Sequence, residues 1–376
     1  MILCITAGLT GCGSKTSEPS RTSLNLGSAS GADPGFARIT QPIPLSFPAD
    51  YGAHEAYQTE WWYTTGNLDA QDGAHYGFEL TFFRRGLIPQ AEQEARTSNW
   101  AANQVYLAHF TLTDVNGSRF EASEKLARGA AGLAGATADP AFDLHLESWE
   151  IRQTGENEFH LSAGQEDQAA NLTLSMEKAP VLQGDQGYSE KGPETGNASC
   201  YFSLTRLKTA GTLTIDGRII PVSGWSWMDH EFSTSALAKD QRGWDWFALQ
   251  TDDHQEIMVY TLRKTDGSTD PYSRGTLVGP DGETLHLDAA DFTITPLDTW
   301  KSPHSRAVYP ARWKISIPTQ AVDLEVQPYL ADQELNLSFI YWEGAVKFSG
   351  TMGGKPVNGS GYVELTGYAQ SMQGQF

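Results

Sequence analysis

Short runs in which apolar and polar side chains alternate fill most of the chain, separated by glycine, asparagine or aspartate turns. The first is Glu60-Trp61-Trp62-Tyr63-Thr64-Thr65-Gly66-Asn67-Leu68, and Asp72-Gly73 turns it into His75-Tyr76-Gly77-Phe78-Glu79-Leu80-Thr81-Phe82-Phe83-Arg84. Aromatic and β-branched residues on either side of a glycine turn predict a hairpin. Residues 89–103 are polar and predict a loop; residues 105–113 alternate again and are closed by the turn signal Asn116-Gly117. The alanine- and glycine-rich stretch 124–138 predicts a short helix or an irregular insert. Beyond it, strands are expected near 142–149, 158–162, 172–176, 201–207 and 212–215, with a glycine-rich loop at 184–196. No segment sustains a helical period. Short, regularly spaced strands predict an all-β sandwich or barrel.

The pattern also repeats. Gly211-x-Leu213-x-Ile215-x-Gly217 followed by Pro221-Val222-x-Gly224-x-x-Trp227-x-Asp229 returns as Gly344-x-Val346-x-Phe348-x-Gly350 followed by Pro356-Val357-x-Gly359-x-x-Tyr362-x-Glu364. The offset is 133 residues before the turn and 135 after it. Trp62-Tyr63 echoes Trp246-Phe247, and Phe83-Arg84 echoes Leu262-Arg263. Each half therefore opens on an aromatic strand and closes on a glycine hairpin. This predicts two homologous β-barrel domains, 46–232 and 243–376, in which the last strand pairs back on the first and so removes free edges.

Composition narrows the function. A net charge of −20, from 26 basic and 46 acidic residues, excludes nucleic acid as a partner, because phosphate contacts need a basic surface. No run of about 18 apolar residues predicts a spanning helix. At the start, Leu9-Thr10-Gly11-Cys12 resembles the lipobox of bacterial lipoproteins, so residues 1–12 read as a signal whose cysteine becomes lipidated. Gly13 after it favours, by analogy, the outer membrane facing the periplasm. Residues 13–45, rich in Ser, Gly and Thr, read as a flexible tether, with order beginning at Ile43-Pro44-Leu45. If Cys12 carries the anchor, Cys12→Ser should release the protein from the membrane fraction; unchanged partition would exclude the anchor. Cys200 then stands alone in a strand and reads as buried filler rather than a nucleophile.

Candidate chemistry concentrates in Gly224-Trp225-Ser226-Trp227-Met228-Asp229-His230-Glu231-Phe232 and Gly243-Trp244-Asp245-Trp246-Phe247. Tryptophan seeks burial, whereas an Asp-His-Glu run resists it unless paired, a combination that fits a pocket lining. In an undistorted strand Ser226, Met228, His230 and Phe232 share one face, and Trp225, Trp227, Asp229 and Glu231 the other. The repeat keeps an acid at the Asp229 position (Glu364) but has Leu365 at that of His230, so His230 is expected to face a ligand and Asp229 to serve structure. The alternative is that the tryptophans wedge two domains together while the Asp-His-Glu run satisfies buried backbone groups. His109 alternates with Leu107 and Val105 and could reach the barrel interior; Glu60 is either its buried partner or a strand-end charge. Neither an HExxH arrangement nor a nucleophile elbow or phosphate loop is present in the sequence.

The Glu-Trp-Trp-Tyr opening at 60–63, Tyr188-Ser189-x-Lys191 and the two tryptophan segments resemble the family of carotenoid 1,2-hydratases and AttH-like secreted proteins, over about residues 45–370. The resemblance implies tandem lipocalin-like antiparallel barrels and a hydrophobic small-molecule ligand; the scattered histidines and missing cysteine ligands predict no metal, and no cofactor is expected. By position His230 matches the hydratases' catalytic histidine and Tyr260 a site tyrosine; Phe232 stands where those enzymes have tryptophan, and Thr261, Leu262 and Arg263 supply no acid. The expected catalytic residues are His230, Asp229 and Tyr260, with Glu60, Trp62, His109, Tyr188, Trp227, Phe232 and Trp246 binding ligand. Hydrating an alkene needs a proton donor, aromatic faces for the cation and a positioned water. Two readings follow: a cofactor-free, hydratase-like enzyme acting on an isoprenoid or lipid-like ligand at the cell envelope, or a non-catalytic carrier lipoprotein associated with an export system.

Overall fold

The computed structural model describes residues 35–93, 98–165, 167–235 and 237–373. Cys12 and the signal therefore lie outside the described residues, as does all of the tether before residue 35. The remainder of that segment is docked rather than free: Phe36 and Ile39 are buried, Ile39 against Ala198, Cys200 and Phe232, so order begins ahead of Ile43.

The fold is all-β. The first sheet contains β1 (Thr59–Ala70), β2 (His75–Gly86), β3 (Gln104–Asp114), β4 (Arg119–Arg128), β5 (Ala134–Thr137), β6 (Asp143–Leu146) and β7 (Trp149–Gly155). It continues with β8 (Glu158–Gln165), β9 (Gln168–Met176), β10 (Val181–Leu182), β11 (Tyr188–Glu190), β12 (Ala198–Ile215) and β13 (Arg218–Ser233). The second contains β14 (Gln241–Thr251), β15 (Glu256–Lys264), β16 (Arg274–Val278), β17 (Thr284–Asp288) and β18 (Thr293–Lys301). Its remaining strands are β19 (Val308–Ile317), β20 (Val322–Pro328), β21 (Glu334–Asn336), β22 (Ile340–Met352) and β23 (Lys355–Leu365).

In both sheets the last strand pairs antiparallel with the first, β13 with β1 and β23 with β14. The first sheet curls until β5 and β6 approach β3 and β4, a nearly closed barrel; the second is a half-barrel with β17 and β18 as its edges. Of residues 124–138, 124–128 and 134–137 form strand rather than helix, and 129–133 form the irregular turn between them. Cross-strand pairing of β4 with β3 and of β5 with β6 outweighs the helix propensity of Ala, Glu and Lys. The run at 142–149 is split by Glu147, whose positive φ turns β6 into β7, and 201–215 is a single long strand with a bulge after Leu204.

The strand ladders correct the repeat. Gly211 pairs with Val222 and Gly350 with Val357, so Gly211 is the equivalent of Gly350, not of Gly344. At both, a Cβ would fall on a carbonyl of the neighbouring strand, 2.2 Å from Asn171 O and 2.1 Å from Asp323 O. The first hairpin is simply two residues longer on each arm. Likewise Tyr63 faces Asp229 as Trp246 faces Glu364, so the counterpart of Trp246 is Tyr63 rather than Trp62. That single step sends the side chains to opposite faces. Trp62 lies in the first barrel's interior with Phe78, Leu80 and Phe82, whereas Trp246 lies between the domains with Tyr63, Tyr201 and Trp227.

Candidate functional site

Parity along β13 decides where the chemistry sits. Trp227, Asp229 and Glu231 point out of the first barrel towards the second, and His230 points in. Between the domains is a cavity of about 80 Å³. Trp61, Tyr63, Phe83, Trp244 and Trp246 wall it, and Lys191, Tyr201, Asp229, Glu231, Tyr260, Tyr341 and Glu364 bring polar atoms to it.

Asp229 accepts three bonds: Tyr201 Oη at 2.8 Å, Ser203 Oγ at 2.5 Å and Trp227 Nε1 at 2.7 Å. Burial pushes its carboxyl up to about 7 even though all three donors favour the charged form, and the charge of Glu231 adds to the rise. Near neutral pH the group is thus divided between acid and carboxylate.

Lys191 anchors the other end. Its Nζ lies 3.0 Å from Glu231 Oε1, 3.0 Å from Ser189 Oγ and 3.4 Å from Tyr260 Oη, and it stands 4.7 Å from the centre of the Tyr260 ring. Burial works against its charge, but Glu231 and Tyr260 more than offset that, so the ammonium is held above its ordinary range. The domains share the loop that positions it, since Gln241 Nε2 donates to Lys191 O at 2.6 Å.

The layer between the barrels is crowded with acid. Glu364 accepts from Trp244 Nε1 at 2.6 Å and is pushed up to about 8, first by burial and then by the charges of Asp229 and Glu231. Glu79 and Glu343 are fully buried, with Thr81 and Tyr63 hydroxyls donating to them. Burial raises both above the carboxylate range, and Glu364 adds to the rise in each. Among the described residues, Asp229, Glu231, Glu364, Glu79 and Glu343 crowd this layer, and of these five only Glu231 pairs with the Lys191 ammonium. Uncompensated charge is too costly to bury, so several of them hold protons.

His230 belongs to a different network. Its Nε2 is 2.8 Å from Glu60 Oε1, and its ring stacks on Trp62 at 4.7 Å. Glu60 also meets Arg84 Nε at 2.7 Å and His54 Nδ1 at 2.8 Å. Burial favours its neutral form, but Arg84 and the two histidines hold it below the ordinary range; burial keeps His230 neutral. His54, Glu60 and His230 could bring ligand atoms together around a cation. The Arg84 guanidinium already occupies Glu60, and a metal fits poorly beside that buried charge.

The remaining expected residues divide likewise. Tyr260 and Trp246 line the cavity, and Trp227 sits behind Asp229. Phe232 and Tyr188 lie with Cys200 beneath residues 36–58, away from the cavity. His109 shares its face with Leu107 and turns towards the second domain; the barrel interior takes Tyr106, Ala108 and Phe110 instead. Its carboxylate partner is Glu124, at 3.0 Å, not Glu60. Lys191, Glu231, Tyr201 and Glu364 were not among the expected site residues. The repeat pointed to Glu364 as the match of Asp229, and Glu79 showed as an acid within an aromatic run.

A family model described as AttH-like matches residues 38–368. Kievitone hydratase of Fusarium solani subsp. phaseoli is 24% identical over 217 residues, 54% of this chain and 58% of that protein, so the match spans little more than half of this relative. The crystal structure of an AttH from Nitrosomonas europaea is 31% identical with a TM-score of 0.79, covering 89% of this chain and all of that one. That of kievitone hydratase from Nectria haematococca is 19% identical with a TM-score of 0.64, over 89% and 98% of the two chains, a likeness of fold alone.

Proposed function

This chain belongs to the AttH-like family, and from that premise we propose that its interdomain cavity adds water across a carbon–carbon double bond of an apolar ligand, using the chain's own acids. One observation carries the reading: Asp229, a carboxyl titrating at about 7, opens onto a cavity walled by indole and phenol rings. A general acid works best when its pKa lies near the working pH. Asp229 gives its proton to one alkene carbon, and the positive charge appears on the other. The faces of Trp246 and Tyr63 stabilise that cation. Water bonds to the cationic carbon and returns one proton to the Asp229 carboxylate, leaving an alcohol and the starting acid. The relative named kievitone hydratase supports this reaction class.

Lys191, Ser189 and Tyr260 supply a cationic donor and two hydroxyls at one end, the recognition set for a phenol, enol or carboxylate oxygen. The cavity volume of about 80 Å³ is roughly half the ~150 Å³ that holds benzene, so a ligand of this class enters only as the aromatic walls move apart. The sequence Leu9-Thr10-Gly11-Cys12 supports a site of action at the cell envelope.

Prenylated phenols incubated with the protein in heavy water should give alcohols carrying one carbon-bound deuterium. Lys191→Met should raise KM about tenfold or more for those substrates, the loss of roughly one charged hydrogen bond, and leave oxygen-free terpenes unaffected. Binding without isotope uptake across the panel would identify a carrier instead.

A further inference from the structure

We propose that Glu124, His109 and Tyr341 form a proton relay between solvent and the interdomain cavity. His109 and Glu124 are direct cross-strand partners on β3 and β4. The imidazole has no exposure, whereas the Glu124 side chain keeps 23% of its own. Nε2 of His109 lies 3.0 Å from Glu124 Oε2, and Nδ1 lies 2.8 Å from the Tyr341 hydroxyl. Tyr341, at the start of β22, lines the cavity together with Asp229 and Glu364. Three groups thus run in series from a surface carboxylate, through a sealed imidazole, to a hydroxyl beside the acid cluster.

The surroundings suit conduction. The rings of Phe83 and Phe339 pack on the imidazole at 5.5 and 4.7 Å, closing it off from other polar groups. Burial lowers the affinity of His109 for a second proton, though Glu124 counters part of that, so the ring rests neutral with one nitrogen donating and one accepting. Ser338 fixes the Glu124 carboxylate, its N–H donating to Oε2, the oxygen that meets His109, at 3.2 Å and its hydroxyl to Oε1 at 2.5 Å.

With Nε2–H donating to Glu124 and the Tyr341 O–H donating to Nδ1, the chain conducts outward. A proton released into the cavity reaches the Tyr341 oxygen, Tyr341 passes its own to Nδ1, and the Nε2 proton moves to Glu124 and then to water. Each group gains one proton and loses one. The opposite tautomer, with the hydroxyl turned to the cavity, conducts inward. The relay itself does not depend on what the cavity does; its use in turnover rests on the hydration reading.

Its test is independent of activity. Trp244 donates to Glu364, so indole fluorescence reports ionisation of the cluster. In a stopped-flow jump from about pH 6 to about pH 9, Glu124→Gln and His109→Gln should slow the fluorescence relaxation about tenfold or more while its amplitude stays the same, as expected for loss of a positioned proton-transfer group. Tyr341→Phe should do likewise, and with Glu124→Gln it decides the matter if His109→Gln fails to fold. Unchanged rates in the folded variants would overturn the relay. So would a shifted amplitude at an unchanged rate, which would mean a purely structural role. Failure of the hydration assay alone would leave these rates unaffected.

Discussion

Asp229→Asn should cut turnover by about 100- to 10,000-fold, the contribution of a positioned acid–base group, while ligand affinity changes little. Asparagine keeps the shape, and its oxygen can still accept from Trp227 Nε1 and Ser203 Oγ, which lie at 2.7 and 2.5 Å. Most affinity for an apolar ligand comes from buried area, at roughly 25 cal/mol per Å², and the aromatic walls are untouched. What disappears is the proton. The pH dependence gives a second signature. The protonated form of Asp229 is the reactive one, and burial places its titration at about 7, so the wild-type rate should fall as pH rises through that value. The residual rate of Asp229→Asn should lack that limb. Wild-type turnover in the variant, or a rate that climbs with pH, would move the chemistry elsewhere in the acid layer.

That residue also marks the limit of what the sequence alone disclosed. Alternation along 225–232 separates Asp229 from His230 correctly, because a strand leaves no other choice. Which face lines the interdomain cavity cannot be read from that strand, since the opposite wall (Trp246, Tyr260, Glu364) comes from the second domain. In the structure the strands of the aromatic-x-acid repeat set Glu364 opposite Trp246 just as Asp229 lies opposite Tyr63. The two acids therefore meet across a pseudo-symmetric seam. The seam also explains the tryptophans: Trp227 and Trp246 do wedge the domains together, at 6.2 Å between rings, yet the same wedge leaves the cavity. Local composition misled at 124–138, where pairing across strands overrode it. Lys191 was visible only as part of a short motif, because nothing near it in sequence shows that Glu231 and Tyr260 converge on its ammonium.

At the flank of the same seam, Glu256→Ala should cost about 3–5 kcal/mol, the usual penalty for removing one partner of a buried ion cluster. Glu256, at the start of β15, is fully buried and takes two cations from the first domain. Lys178 Nζ lies 2.8 Å from Oε2, and Arg206 Nε donates to Oε1. Both cations are nearly buried themselves, so alanine would leave two positive charges facing each other without solvent. Their other contacts cannot neutralise them: Lys178 also reaches His254 O and Gly279 O, each at 2.7 Å, and Arg206 reaches Thr251 O at 3.1 Å. Because the cluster bridges the domains, the loss should fall on their docking rather than on either barrel's core. Denaturant unfolding of the variant should then separate into two transitions where the wild type shows one. Replacing Lys178, Arg206 and Glu256 together with methionine should restore most of the stability, since an apolar substitute for a buried ion cluster is often neutral or better. A single cooperative transition in Glu256→Ala with less than about 1 kcal/mol lost, the scale of a surface pair, would mean that the aromatic wedge alone holds the domains together.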